Sequence, residues 1–435
     1  MKTTDTQLPG SKPRVVWLDY MRVLACLMVM FVHATEPFYL GGEGALVLSA
    51  TDAFWVALFE GLVRSCVPLF VISSSFLQFP LHYSSGDFFR RRAVRILVPM
   101  AIWTVVYALV WGQPVDNFKG LLLNFNYAAG HLWFVYMLVG LYLLMPLLSP
   151  WAQKVSRREQ EIYLGIWLFT TLFPFIRELA GGEAPLIQAA DGLPATALFP
   201  LWGEASWNPF GTFYYLSGFV GYLLVGLYVR KYLVNNRWTG MLGWSLFLVG
   251  FVAIVSGLLQ RISATADVAS GAAAALFPVS APLSVAVAWE TPITFCGLPV
   301  VLCSVGLVLV FRRIGSAHQA PVSSSEGDTP EGASASSSAT EGVSPSRAEG
   351  RGWFYRHVVL PLSLAGYGMY LIHMLVLGPV SGWLRSWLGL GPDGVLGVWT
   401  TPVQILLTAL ISFATVGLIA VLLRRIPRVG KWLMG

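Results

Sequence analysis

Residues 15–38 read VVWLDYMRVLACLMVMFVHATEPF, an apolar stretch interrupted by four ionisable side chains. A helix of this length can cross the roughly 30 Å of hydrocarbon in a membrane. Similar apolar stretches recur along the chain, which is 56% hydrophobic and only 11% charged. An ordinary soluble domain carries about 25% charged residues. The composition therefore excludes a soluble protein and predicts a polytopic membrane protein.

The apolar stretches predict an all-α bundle of about ten transmembrane helices. They lie near residues 15–38, 54–79, 94–112, 131–149, 161–176, 210–229, 239–259, 284–311, 357–378 and 400–423. Cytoplasmic loops are enriched in Lys and Arg, and most of the 28 such residues fall in alternate gaps and at the two chain ends. This pattern predicts that the N and C termini are cytoplasmic. The net charge of +6 thus reports orientation, and no nucleic-acid partner is expected.

Two stretches of different composition lie between the predicted helices. Residues 315–352 are rich in Ser, Ala, Gly, Pro and Glu, which is typical of a disordered linker. We expect this cytoplasmic linker to separate helices 1–8, in residues 1–314, from helices 9 and 10, in residues 353–435. Residues 177–209 are acidic, contain two tryptophans and form the largest outer loop on this topology. The loop is a candidate acceptor surface, although interfacial tryptophans are also common membrane anchors.

The ionisable side chains of the first helix are the first candidates for function. A charge inside hydrocarbon costs about 2.5 to 3.5 kcal/mol, so such residues usually face an internal cavity. Arg22 and His33 are eleven residues apart, about 16 Å and close to three turns along a helix. They are therefore expected on one face at different depths. An arginine near the cytoplasm suits a phosphorylated donor, and a deeper histidine suits proton transfer near neutral pH.

His33 and Glu36 are three residues apart, a spacing at which the carboxylate can orient the imidazole and raise its basicity. The pair predicts a catalytic base with its orienting acid, and Asp19 is a second candidate for that acid. The alternative is that His33 is a buried hydrogen-bonding residue and Glu36 an interfacial acid. Glu60 and Arg64, one turn apart in the second span, are expected to form an internal ion pair.

An arginine cluster lies at the start of the third span. Arg92 and Arg95 are three residues apart, so their forked donors can clamp phosphates from one helical face. The same cluster, which begins at Arg90 and precedes Pro99, also fits a topological anchor at the cytoplasmic surface. Spacing alone leaves both interpretations open.

Four motifs together resemble the acyltransferase family 3 of bacterial membrane acyltransferases, which modify surface glycans. In the family's order they are Trp17-Leu-Asp-Tyr-Met-Arg22 followed by His33, Arg92-Ala-Val-Arg95, His131-Leu-Trp133-Phe, and Tyr367-Gly-Met-Tyr370-Leu-Ile-His373. One departure is Ser75, because the family usually has glycine after serine in the second helix. We expect the serine to widen a close contact between helices.

The resemblance implies a multi-pass enzyme of the bacterial inner membrane. Such an enzyme transfers an acyl group from cytoplasmic acyl-CoA to a hydroxyl of a cell-envelope glycan or glycolipid. Acetyl is expected ahead of succinyl because it is the commoner donor in the family. Whether transfer is direct or passes through an acyl-histidine stays open.

The resemblance also implies roles for individual residues. It makes His33 the essential catalytic histidine, oriented by Glu36 or Asp19. The implied donor-binding residues are Arg22, Arg92 and Arg95. The candidates for lining the cavity are His131, Trp133, Tyr370 and His373.

Acyl-CoA is expected as a co-substrate, without a metal or a permanently bound cofactor. The four cysteines lie in apolar segments and lack metal-ligand spacing. The expected partners are the lipid bilayer and the acceptor. Some family members carry a hydrolase-like domain for a final transfer step. Because residues up to Gly435 contain none, a separate envelope protein is a further candidate partner. A transporter or flippase is the competing class, although the internal repeats typical of carriers are not found. A non-enzymatic scaffold is a further alternative, but it does not explain the pattern of histidines and arginines.

Overall fold

The computed structural model describes residues 14–39, 50–112, 129–179, 202–203, 210–268, 290–316, 352–390, 393–427 and 429–435. Within these ranges every regular element is helical, which confirms the all-α part of the predicted fold class, and the cytoplasmic position of both termini stays a prediction. Most of the expected linker, 315–352, and of the expected outer loop, 177–209, lies outside the described residues. The division into residues 1–314 and 353–435 therefore stays a prediction.

Several of the described helices are preceded by a short 3-10 or π-helical turn. The α-helices are α1 (Val16–Tyr39), α2 (Ala50–Val63), α3 (Cys66–Gln78), α4 (Ser85–Arg92), α5 (Val98–Val110), α6 (Trp133–Lys154), α7 (Arg157–Thr170), α8 (Phe173–Leu179), α9 (Val220–Lys231), α10 (Arg237–Val268), α11 (Leu298–Ser316), α12 (Leu360–Leu388), α13 (Thr400–Arg424) and α14 (Gly430–Met434).

Eight helical segments of the described ranges are long and apolar enough to cross a membrane. They are Val16–Tyr39, Thr51–Gln78, Ser85–Val110, Gly130–Lys154, Arg237–Gln260, Thr291–Gly315, Gly352–Leu388 and Gly397–Arg424. Each overlaps one of the predicted spans. The protein is therefore a multi-pass membrane protein.

The other two predicted spans, near 161–176 and 210–229, are shorter helices. α7 begins among charged residues, and a turn separates it from α8. α9 begins only at Val220, because Gly211 and Gly218 before it have φ angles of 51° and 72°. These left-handed conformations interrupt a right-handed helix. Ten membrane crossings therefore stay a prediction.

α1 is the central helix of the described bundle. It packs against α2, α3, α11, α12 and α13. Its side chains that pack into the core include Trp17, Met21, Met30 and Phe38, each less than 5% exposed. Because protein surrounds α1, its ionisable side chains face other helices rather than lipid.

α3 and α9 cross closely at Ser75. The Ser75 hydroxyl donates a hydrogen bond to the carbonyl of Leu223 at 2.6 Å. A Cβ atom added to Gly226 would lie 2.6 Å from the Cβ of Ser75. The small residue that allows this close crossing is therefore on α9, and the expected widening by serine relative to glycine stays a prediction.

Candidate active site

One cavity brings together the three arginines that the sequence singled out. Arg22 of α1, Arg92 at the end of α4 and Arg95 in the following π-helical turn line a space of about 240 Å³. Ser73 and Gln78 of α3 contribute polar groups to the same wall. We call this space the arginine cavity.

The cavity arginines are held by neutral partners. The Nε of Arg22 donates to the Ser73 hydroxyl at 3.2 Å. An Arg92 Nη donates to the side-chain oxygen of Gln78, and its guanidinium carbon lies 5.2 Å from the ring centre of Tyr142. None of the ion pairs of the described residues involves Arg22, Arg92 or Arg95. Three cations without a carboxylate partner make a site suited to phosphate groups.

A second, smaller cavity surrounds His33. It has a volume of about 100 Å³, and His33, Glu36, Arg64, His131 and Trp133 are among the residues that line it. We call it the histidine pocket. Arg22 and His33 thus belong to one helix but open into different cavities, as their separation along α1 requires.

His33 is arranged as a base. Its Nδ1 lies 2.9 Å from Oε1 of Glu36, and because a carboxylate only accepts hydrogen bonds, Nδ1 carries the proton. The neutral imidazole then has its lone pair on Nε2. A carboxylate at Nδ1 also stabilises the imidazolium that forms when Nε2 takes up a proton. The arrangement is that of a general base or a nucleophile with its orienting acid.

Two further histidines lie near His33, one of them in contact with its ring. The ring centres of His33 and His373 are 4.9 Å apart, and those of His373 and His131 are also 4.9 Å apart. His373 is fully buried, with Nδ1 hydrogen-bonded to the Tyr370 carbonyl. In the part of the chain that the structure describes, Nε2 of His373 and both ring nitrogens of His131 lack hydrogen-bond partners. His131 lines the pocket directly, whereas His373 supports the ring of His33.

The two cavities share a wall. Phe134 and Tyr370 are the residues that line both, and their ring centres are 5.3 Å apart. The Tyr370 hydroxyl donates to the backbone carbonyl of His131. Any group that passes from the arginine cavity to the histidine pocket has to pass this aromatic pair.

Asp19 lies away from the histidine pocket. Its buried carboxylate accepts hydrogen bonds from Tyr355 at 2.7 Å, from Ser363 at 2.6 Å and from Arg14 at 2.6 and 2.8 Å. The hydrogen bond to Asp19 raises the pKa of Arg14. Asp19 precedes His33 by about 21 Å along the helix, so Glu36 rather than Asp19 contacts the imidazole.

Sequence reasoning missed several residues of the two cavities. Gln78 and Tyr142 border the arginine cavity, and Phe295 borders the histidine pocket. The expected pair of Glu60 and Arg64 is confirmed, with Nη1 to Oε2 at 3.4 Å, but its position beside His33 was not anticipated. These residues come from helices far apart in sequence, and spacing within one helix carries no signal for such contacts.

No curated protein and no solved structure matches the chain. A family model described as "Acyltransferase domain" matches residues 15–423. The match covers nearly the whole chain and includes every residue that lines the two cavities except Gly435. The chain therefore belongs to acyltransferase family 3.

Proposed function

We propose that the protein transfers an acyl group, acetyl in the first place, from acyl-CoA to a hydroxyl of a cell-envelope glycan or glycolipid. The observation that carries the proposal is the shared wall between two cavities: an arginine cavity with no Asp or Glu side chain among its described lining residues, and a pocket with a histidine–glutamate pair. The donor enters from the cytoplasm, the protein resides in the bacterial inner membrane, and the acceptor arrives on the other side. A separate envelope protein then receives the product where a final transfer is needed.

The donor divides between the two cavities. Its phosphates lie against Arg22, Arg92 and Arg95, whose N–H groups supply charge-assisted hydrogen bonds. The flexible pantetheine arm passes Phe134 and Tyr370 and brings the thioester to His33. The acyl group thus reaches the histidine pocket while the charged end of the donor stays in the arginine cavity.

His33 carries the proton during transfer. Its Nε2 removes the proton from the acceptor hydroxyl as the oxygen attacks the thioester carbon. The carbon–sulfur bond then breaks, and the imidazolium returns the proton to the CoA thiolate. Glu36 holds the imidazole in the required tautomer throughout.

The test is release of free CoA from acetyl-CoA by purified protein in vesicles of phosphatidylethanolamine and phosphatidylglycerol that contain a total envelope extract as acceptor. We expect turnover by the wild type and none by His33→Ala. The Arg92→Ala/Arg95→Ala variant is expected to bind CoA about tenfold or more weakly, since each hydrogen bond to a charged group contributes about 1.5 to 3 kcal/mol.

Arg90 and Arg91 provide the matched control. They belong to the same cluster but are exposed and do not line the cavity, so Arg90→Ala/Arg91→Ala is expected to bind CoA like the wild type. Equal weakening by both double variants would support the topological anchor instead. No turnover by the wild type with acetyl-, propionyl- or succinyl-CoA would contradict the proposed function and favour a carrier.

A further inference from the structure

Arg64 occupies an unusual position beside the proposed catalytic base. It lies at the bend between α2 and α3 and lines the histidine pocket together with His33 and Glu36. None of the four motifs of the family resemblance contains it. Among the described residues that line this pocket, Arg64 is the one arginine or lysine.

Three neighbours fix the guanidinium of Arg64. Its Nε donates to the Ile293 carbonyl at 2.8 Å, and Nη1 lies 3.4 Å from Oε2 of Glu60. The guanidinium carbon is 4.5 Å from the ring centre of Phe295. The other oxygen of Glu60 accepts a hydrogen bond from Thr35 at 2.6 Å. The position of the cation is therefore set before any substrate arrives.

The pairing of Arg64 leaves most of its hydrogen-bonding capacity unused. The Arg14–Asp19 pair in the same protein is bidentate, with contacts of 2.6 and 2.8 Å. Arg64 instead makes one long contact with Glu60, and its side chain is 13% exposed. A guanidinium has five N–H donors, and the described residues engage two of those of Arg64. The other three N–H donors of Arg64 are therefore available to a ligand in the pocket.

We propose that Arg64 is a catalytic residue that stabilises the negative charge on the thioester oxygen during acyl transfer. This inference rests on the proposed function. As the acceptor oxygen bonds to the thioester carbon, the carbon–oxygen π electrons move onto the carbonyl oxygen, which accepts hydrogen bonds from the free N–H groups of Arg64. When the oxyanion collapses, the carbon–sulfur bond breaks and the CoA thiolate takes the proton from His33.

The surroundings of Arg64 suit this role. Val32, Val67 and Phe295 form apolar walls of the pocket, and electrostatic attraction is stronger where water is excluded. Donors that are already in place when charge develops need no reorganisation at the moment of reaction. The donor's phosphates lie in the other cavity, so Arg64 is expected to act on the reacting atoms and not on donor binding.

The test uses three variants of the Glu60–Arg64 pair. Arg64→Gln alone leaves Glu60 buried without its cation, so the decisive variant is Glu60→Gln/Arg64→Gln, which removes both charges and keeps a polar side chain at each position. CoA release from acetyl-CoA is expected to show a kcat about 10²- to 10³-fold below wild type, the usual cost of losing an oxyanion donor. The KM for acetyl-CoA is expected to stay within about twofold, because Arg64 does not touch the phosphates. Arg64→Lys is expected to recover part of the loss, because it keeps the charge but not the fork.

A second glutamate–arginine pair serves as the control. Arg157 and Glu161 form an exposed pair with the same four-residue spacing, at 2.8 Å. Arg157→Gln/Glu161→Gln is expected to match wild-type kcat. A folded Glu60→Gln/Arg64→Gln variant with wild-type kcat would overturn the inference, as would a raised KM with unchanged kcat. If the wild type released no CoA from any acyl-CoA, the proposed function itself would fail, and the role of Arg64 with it.

Discussion

Tyr370 donates a hydrogen bond to the backbone carbonyl of His131, and this bond fixes the aromatic ring that separates the arginine cavity from the histidine pocket. His131 lies in the 3-10 turn before α6, and Tyr370 lies within α12. The wall between the cavities thus depends on a contact between two distant parts of the chain.

Removing the Tyr370 ring is expected to connect the two cavities. Tyr370→Ala should increase proton leakage through vesicles under an imposed pH gradient, measured with an enclosed pH-sensitive dye. Tyr370→Phe keeps the ring and loses only a hydrogen bond of about 1 kcal/mol. Its proton leakage should therefore match that of the wild type. Tyr367→Ala is the control, because Tyr367 lines the arginine cavity alone. Equal proton leakage through Tyr370→Ala and Tyr367→Ala would contradict a separation of the two cavities by the Tyr370 ring.

Removing the charge of Glu36 is expected to slow the chemical step. Glu36→Gln keeps an oxygen that can accept from Nδ1 of His33, but loses the charge that stabilises the imidazolium. Because a positioned base contributes about 10² to 10⁴ in rate, we expect a kcat at least about 10²-fold lower with a similar KM for acetyl-CoA. The measurement is steady-state CoA release. Wild-type kcat in this variant would assign Glu36 to the membrane interface instead.

Removing the charge of Asp19 is expected to reduce stability rather than turnover. Its buried carboxylate joins α1 to Tyr355 and to Ser363 of α12. Asp19→Asn should lower the free energy of unfolding by about 1 to 3 kcal/mol, seen as a lower Tm in detergent. The kcat of the folded fraction should stay near wild type. A large loss of kcat at unchanged Tm would indicate that Asp19 takes part in catalysis.

The crossing of α3 and α9 is expected to reject a larger residue at Gly226. A Cβ there would lie 2.6 Å from the Cβ of Ser75 and 2.8 Å from the backbone oxygen of Ile72, which cannot move without shifting α3. Gly226→Ala should cost about 1 to 3 kcal/mol of stability. A Cβ at Gly165 of α7 would meet no atom within 4 Å, so Gly165→Ala should keep or raise the Tm. Similar Tm values for both variants would contradict the close crossing.

The sequence predicted those features that depend on position along one helix. The three-residue spacing of His33 and Glu36 predicted their contact, and the four-residue spacing of Glu60 and Arg64 predicted their pairing. Apolar length predicted the eight long spans. These features are local, because the geometry of a helix determines which side chains can meet.

Most features that the sequence did not predict depend on contacts between helices. Gln78 meets Arg92 across two helices, and Tyr370 meets His131 across most of the chain. The short α9 was missed for another reason: its apolar composition hides the left-handed conformations of Gly211 and Gly218. Composition reports hydrophobicity but not the φ angle that a glycine adopts.

α1 carries both Arg22 and His33 without an interruption between them. The separation between these two side chains along the axis is therefore fixed by the number of residues between them. Inserting or deleting one residue in this segment would rotate one of the two side chains about 100° around the axis relative to the other and turn it out of its cavity. The length of α1 thus sets the spacing of the two cavities, and on the proposed function any acyl donor has to span that spacing.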